Sequence, residues 1–431
     1  MHTNLDRSSE SVLLWLLALT ALGCVVFGFL VDSPAEVVRG VGRIVIAPDV
    51  LITDSIDLGG LGGAFVQAGL LTLIACAAYR LTGARVDGAA VGCVYMLLGF
   101  ALFGKTVLNV WPVVMGVGLY AVVRREPVRD YLTTAIFATA LAPVFSEVAF
   151  NSALDRSVSV PLGFATSVLI GFVVPPVARQ LFRAHNGFTL YNMGFVAGVL
   201  GTVVVAVFQS YGLAAQPPMV WTSGHDAELL TLVAAMVLGV IAAAFVLDRR
   251  PWCGYVALHR RTGQAPADFI ASDGAGPTLL NMAAVGVIAT AFVVIVGADF
   301  NGPVVGGIVS VMGFGACGKH SVNIVPVMVG VLLGALAKPF GFTDPGVVWA
   351  ALFGTCLAPV VVRFGPHWGV LAGFLHVSVG QVTGAFAGGL NLYGNGFAAG
   401  LVASVVTPVA LVFARRRDSD RPQDPVQVPA A

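Results

Sequence analysis

Charge is scarce in this chain. Only 10% of its 431 residues are Asp, Glu, Lys or Arg, against about 25% in soluble domains. With 57% hydrophobic residues and a mean hydropathy of +0.90, no fold could present a polar surface on every side, which excludes a soluble globule. A basic face is missing too. The net charge of +1 leaves no footprint for nucleic acid. The six cysteines show neither paired nor metal-like spacing, and Cys24, Cys76, Cys93, Cys317 and Cys356 lie in apolar stretches, where cysteine serves as a small core residue. No His/Cys cluster points to a metal or other cofactor. Gly104-Lys105-Thr106 lacks the upstream glycine loop of a nucleotide site, so ATP-driven work by this chain is not expected. Duplicated acids or histidines in apolar sequence are also missing, so neither catalytic residues nor an enzyme is expected.

What is present is a series of apolar segments near the length that spans a bilayer, about 20 residues. The first half gives 12–31, 63–80, 88–103, 107–123, 131–150, 160–178 and 188–208; the second gives 228–247, 278–297, 303–317, 320–337, 347–362, 368–387 and 395–414. The first run has the length of a signal peptide, but a later segment resembles it, so it reads as a retained helix. The chain divides into membrane repeat 1 at 11–215, a connection at 216–227, membrane repeat 2 at 228–415, and a charged, Pro-rich tail at 416–431 with the composition of a disordered segment. The 52 glycines suit close helix packing in lipid.

The duplication is carried by polar and special residues. Gly99–Gly116 and Gly313–Gly330 share G-F-x3-G-K-x3-N-x2-P-V-x2-G. Residues 83–117 align with 297–331 without a gap at an offset of 214, with 14 of 35 positions identical and six of those glycine. An offset of 216 matches Leu141-Ala142-Pro143 to Leu357-Ala358-Pro359, and 202 matches Leu190-Tyr191 and Gly194-Phe195 to Leu392-Tyr393 and Gly396-Phe397. The connection Asp49–Asp54 resembles Asp268–Asp273, with the aspartates as turn or helix-cap residues.

Seven segments per half is odd, so the halves are expected to be inverted. The arginines agree. Threading fourteen segments puts Arg7, Arg80, Arg85, Arg124, Arg125, Arg129, Arg179, Arg183, Arg249, Arg250, Arg260, Arg261, Arg363, Arg415, Arg416, Arg417 and Arg421 on the N-terminal side, and only Arg39, Arg43, Arg156 and Lys338 on the other. By the positive-inside rule both termini are cytoplasmic. The expected fold is an all-α integral membrane protein of two inverted-topology repeats, multi-pass in the inner membrane of a bacterium. Its partners are the bilayer, a small-molecule solute, and a second copy of itself if it is a homo-oligomer.

Each motif places a lysine, Lys105 or Lys319, inside apolar sequence. The flanking segments 88–103 and 303–317 are short of the ~30 Å hydrocarbon core. This favours a re-entrant hairpin in each repeat over two full spans, in which the lysines would snorkel at opposite interfaces. In the hairpin reading Lys105 and Lys319 supply positive charge for a small anion such as a carboxylate. Asn109 and Asn323 orient it, Gly104 and Gly318 allow close backbone approach, and Thr106, His320 and Ser321 adjoin. A lysine paired with a carboxylate, or one that titrates, is the remaining alternative; no duplicated acid supports it.

Other polar residues carry weaker readings. Glu147 is a candidate for a proton or cation, against the plainer role of an interfacial acid. Tyr191 with Asn192, and Tyr393 with Asn395, would line a pathway or anchor an interface. His376 reads as a packed residue, with Gln381 and Thr383 as minor site candidates. His185, His225, His259 and His367 read as solvated loop residues.

The duplicated lysine block, the D-x4-D connections and the overall length resemble a bacterial family of polytopic membrane proteins known as domain of unknown function 1576. That resemblance implies the membrane fold and the internal duplication, and no substrate. Leu392-Tyr-Gly-Asn-Gly396 is similar over a few residues to urea-channel repeats, from which the lysine motif departs. The sequence thus points to a secondary transporter for a small, anionic organic solute, with H+ or Na+ as the candidate coupling ion. A passive channel and a non-transport scaffold are the alternatives.

Overall fold

The structure is a computed structural model that describes residues 7–47, 53–151, 154–212 and 220–418. Asp49, the start of the inter-repeat connection and the tail beyond Asp418 lie outside the described residues.

The described chain is helical. Repeat 1 contains α1 (Arg7–Val31), α2 (Pro34–Ile46), α3 (Ser55–Thr82), α4 (Gly88–Phe100), α5 (Trp111–Arg124), α6 (Leu132–Ala138), α7 (Pro143–Ser146), α8 (Arg156–His185) and α9 (Asn192–Ser210). Repeat 2 contains α10 (Asp226–Leu247), α11 (Pro251–Leu258), α12 (Phe269–Asp273), α13 (Ala275–Val296), α14 (Gly302–Phe314), α15 (Ser321–Leu336), α16 (Pro345–Gly354), α17 (Ala358–Phe364), α18 (Pro366–Phe386) and α19 (Gly394–Asp418). The seven apolar segments expected per half correspond to α1, α3, α4, α5, α6–α7, α8 and α9, then to α10, α13, α14, α15, α16–α17, α18 and α19. Helix α19 runs to Asp418, past the expected start of the tail.

Two features of the connections correct the sequence reading. The stretch 32–62 is not a plain link. It folds α2, whose start is fixed by reciprocal bonds between Ser33 and Glu36, and the first turns of α3. Helix α3 breaks at Gly60 (φ 74°), and in repeat 2 the same break falls at Gly274 (φ 90°), between α12 and α13. The equivalent aspartates are therefore Asp54 and Asp268, each capping the helix that follows. The five-residue shift that set Asp49 beside Asp268 is out of register, because pattern alone cannot locate a break made by one glycine.

Large apolar side chains face outward along the long helices; Leu30, Leu81, Val246 and Ile295 are about four-fifths exposed. In water such a surface would drive association; in lipid it is the solvated face. Nine described helical stretches, with α16–α17 as one of them, have the length and hydropathy of membrane spans, and the bent pair α6–α7 makes a tenth. The chain is a multi-pass membrane protein.

The centre is built from the short helices. All thirteen residues of α14 are buried, as expected of a helix that is apolar all round. It lies antiparallel to α4, its counterpart. Gly88 meets Ala316, Gly92 meets Gly313, and Gly99 meets Gly306. A Cβ on Gly99 would lie 2.5 Å from the Gly306 carbonyl oxygen, and one on Gly306 2.5 Å from that of Gly99. Small residues let the two backbones touch, and the swapped contacts define a pseudo-twofold axis between the repeats.

Candidate functional site

Each lysine sits just beyond the end of one central helix. The chain leaves α4 through a tight turn in which the Lys105 N–H donates to Phe100 O at 3.1 Å; in repeat 2 the Lys319 N–H donates to Phe314 O at 3.0 Å. Gly104 (φ 85°) and Gly318 (φ 143°) make these turns, in a region closed to most side chains. The turns lie at opposite ends of the antiparallel α4/α14 pair, whose thirteen-residue helices are roughly 20 Å long.

Buried amides hold the turns. Asn109 accepts from the Thr106 N–H (2.8 Å) and donates to Gly104 O (3.0 Å) and Ser146 Oγ (3.1 Å). Asn323 accepts from the His320 N–H (2.8 Å) and donates to Gly318 O (2.9 Å). Both motif asparagines are thus engaged with the loop backbone. Two further amides do the same from outside the motif. Gln67 donates to Ala101 O (2.7 Å) and Lys105 O (3.1 Å) and accepts from the Val107 N–H (3.1 Å). Asn281 donates to Gly315 O (2.8 Å) and Lys319 O (2.7 Å). Gln67 and Asn281 stand at the same 214 spacing as the lysines, and a search for aligned amides rather than identities would have found them.

The lysine side chains turn toward the middle of the molecule. Lys105 Nζ lies 2.6 Å from Tyr393 Oη, and Lys319 Nζ 2.7 Å from Tyr191 Oη. Each bond joins one repeat to the other. Both lysines are fully buried, and neither is in an ion pair among the described residues. Their ammonium groups rest instead over aromatic rings. Lys105 lies 4.7 Å from the centroid of Tyr393 and 5.5 Å from that of Phe100, and Lys319 lies 4.6 Å from Tyr191 and 5.4 Å from Phe314. Ring faces attract a cation but carry no countercharge.

The tyrosines are positioned across the axis in the same swapped way. The Leu190 N–H donates to Cys356 O (2.9 Å) and the Leu392 N–H to Ala140 O (3.0 Å). The acceptors lie in the 3-10 turns Thr139–Leu141 and Thr355–Leu357, which precede the aligned prolines. Leu392 and Leu190 also fill the space over Gly104 and Gly318. The first turns of α9 and α19 cross where Gly194 meets Gly396. At the starts of the central helices, Asp54 accepts from the Gly302 N–H and Asp268 from the Gly88 N–H, each at 3.3 Å, and Asp54 also accepts from the Thr222 hydroxyl.

Between the two Lys–Tyr pairs lies a cavity of about 10 Å³, lined by Met96, Phe100, Tyr191, Trp349, Phe353 and Tyr393 with others. That is close to the room one water needs. Tyr191 and Tyr393, read from sequence as pathway or anchor residues, are the direct partners of the lysines.

Other candidates are placed elsewhere. His320 Nε2 lies 3.1 Å from Arg261 O, and Ser321 Oγ 2.8 Å from His259 Nε2, so both side chains face the α11 side rather than Tyr191. Thr106 accepts from the Leu108 and Asn109 N–H groups. Asn192 and Asn395 hold His185 (3.0 Å) and His376 (3.1 Å). Glu147 is buried in a π-turn, one residue after the Ser146 that holds Asn109. The solvated reading fails for His185, His259 and His225. His185 is fully buried at the end of α8, and His259 is half-buried against Ser321. A polar residue next to a turn glycine looks solvated in sequence when the chain folds back over it. His225 is also half-buried, and His367 is exposed but on α18. The arms of each lysine segment part company, α4 and α14 packing on one another while α5 packs along α8 and α15 along α18.

No curated protein and no solved structure matches this chain. A family does match, over residues 33–210 and 247–412, which takes in both lysine turns and both tyrosines. On that coverage, the chain belongs to the family described as Protein of unknown function (DUF1576).

Proposed function

We propose that this protein is a secondary transporter for a small organic anion, bound between Lys105 and Lys319 at the interface of two inverted repeats. One observation carries the reading: two fully buried lysines without a carboxylate partner among the described residues reach into one aromatic cluster from opposite repeats. An ammonium has three donors, and each here has one side-chain hydrogen-bond partner among the described residues, a neutral hydroxyl. A buried charge without a countercharge is costly. A carboxylate in place of the tyrosine hydroxyl would supply that countercharge where the dielectric is low.

The inverted arrangement is supported by the antiparallel crossing of α4 and α14, by the odd number of segments per repeat and by the one-sided arginines. In this reading the positive-inside rule puts both termini in the cytoplasm of a bacterial cell, with the chain in the inner membrane. Inverted repeats with broken segments meeting near the midplane are the usual architecture of secondary transporters. Because each Lys–Tyr bond crosses the repeat interface, rocking of one repeat against the other would break one bond or both. The closed centre favours alternating access over a standing pore.

The test is uptake into proteoliposomes of radiolabelled acetate, succinate and citrate, with Lys105→Met and Lys319→Met beside wild type. The expected result is accumulation of at least one acid that falls more than tenfold in either variant. Accumulation unchanged by both substitutions, or none of the three acids taken up by wild type, would sink the proposal.

A further inference from the structure

A second cavity, of about 530 Å³, lies on the repeat-1 side, bordered by Glu126, Asp130, Tyr131, Arg179, Phe182 and Asn192 among others. Its size is in the usual range for small-ligand sites. Its charges are unevenly matched. Glu126 pairs with Arg124 at 3.3 Å and Asp130 with Arg129 at 3.8 Å. The Tyr131 hydroxyl holds the Glu126 carboxyl below its ordinary range; burial opposes it, and the charges of Arg124 and, more weakly, Arg179 assist. Arg179 is in no ion pair among the described residues; its guanidinium donates to the Tyr120 hydroxyl and lies 5.8 Å from that ring. A planar fork with N–H groups to spare suits an oxyanion.

The cavity shares a chain segment with the central site. Asn192, in its wall, follows directly on Tyr191, the partner of Lys319. It is tied back to α8 by its bonds to Ala178 O (3.2 Å) and His185. Repeat 2 does not rebuild the feature. At the spacings that superpose the repeats, Arg179 becomes Gln381, Asp130 becomes Gly346 and Tyr120 becomes Gly334. There Gln381 lies over Gly346, and Lys338 turns onto the Phe374 carbonyl at 2.9 Å. A duplicated fold has thus kept an open, charged pocket in repeat 1 whose counterpart positions in repeat 2 are filled.

We infer that the Arg179 cavity is an outer binding site for a carboxylate-bearing solute on its way to Lys319, with Arg179 as the residue that recognises it. This rests on the transport reading for its direction, but binding is measurable without transport. The shared chemistry is an oxyanion, and an anionic lipid headgroup could supply one too.

The experiment is calorimetric titration of the full-length protein in neutral detergent with acetate, succinate and citrate. Wild type, Arg179→Gln, Arg179→Lys and the double variant Lys105→Met/Lys319→Met are compared, and the wild-type titration is repeated in nanodiscs with and without phosphatidylglycerol. We expect Arg179→Gln to weaken binding of at least one acid tenfold or more, Arg179→Lys to restore part of it, and the double lysine variant to lose the central component while keeping the Arg179-dependent one. Equal affinities for Arg179→Gln and wild type overturn the outer site and leave the central one standing. Loss of the acid's binding whenever phosphatidylglycerol is present overturns it in favour of a headgroup site. Binding that depends on Arg179 in a protein that accumulates none of the acids upholds the site and overturns the transport reading.

Discussion

The Lys105 ammonium and the Tyr393 hydroxyl meet at 2.6 Å although 288 residues separate them. Lys319 and Tyr191 repeat the contact in mirror order at 2.7 Å. Each lysine takes its side-chain hydrogen bond from the other repeat. Each repeat supplies the ammonium for one bond and the hydroxyl for the other, so the charged groups lie where the halves must move if they move at all. An ion pair within one repeat would have fixed the charge and left the interface apolar.

Tyr393→Phe keeps the ring under Lys105 and removes only the hydroxyl. A hydrogen bond to a charged group is worth about 1.5–3 kcal/mol, so the variant should lose roughly that much stability in a reversible detergent-denaturation titration. Combined with Lys105→Met, the loss should fall short of the sum of the singles, because both remove the same bond. Additive losses would mean that the two groups do not depend on one another.

Gly104 tests the turn. Its φ of 85° is unfavourable for alanine, and an added Cβ would meet Leu392 at 2.3 Å. Backbone strain of this kind costs about 1–3 kcal/mol, before the tyrosine-bearing segment is displaced. Gly118→Ala is the control: that glycine lies in α5 with nothing within 4 Å of the added carbon, and helix propensity alone favours alanine. Gly104→Ala should lower both stability and uptake, and Gly118→Ala neither; equal behaviour of the two would show that the turn carries no special constraint.

The sequence revealed what its special residues repeat and concealed what its ordinary ones do. Lys, Asn, Pro and Gly survive in register between the halves, so the duplication, the segment count and the lysine turns were all readable. The tyrosines were visible as aligned residues, but their partners were not, since a contact spanning 288 residues and two repeats leaves no local pattern. Gln67 and Asn281 leave no identity between the repeats, because one is a methylene longer than the other. His185 was misread because Gly187 (φ 77°) folds the chain back over it. Hydropathy reports how many residues are apolar, not which polar ones are covered.

Gln67 and Asn281 should not be equally costly to lose. Gln67→Leu strips two carbonyls and one N–H of their partner. Asn281→Leu strips two carbonyls, and the Asn281 side-chain oxygen has no hydrogen-bond partner among the described residues to lose. An unsatisfied buried group costs about 1–3 kcal/mol. Gln67→Leu should therefore be the more damaging by about one such increment, read from denaturation midpoints. The reverse order would indicate that the longer amide only fills space.

The inverted arrangement can be tested with cysteines at equivalent places in the two repeats. Cys253 on α11 is exposed, whereas the other five cysteines are buried, and Val38 on the corresponding α2 is 70% exposed. From α2 to α11 the chain passes α3, α6–α7, α8, α9 and α10, an odd number of crossings. The α4–α5 segment leaves that parity unchanged whether it re-enters or spans twice. Equivalent helices must then face opposite sides. A membrane-impermeant thiol reagent should label Val38→Cys, in a Cys253→Ser background, in intact cells. It should label native Cys253 only in inverted vesicles, where the arginine-rich face is outward. Labelling of both from the same side would make the repeats parallel. The antiparallel crossing of α4 and α14 would then lose its explanation as a product of membrane inversion, and with it the two-sided approach of Lys105 and Lys319.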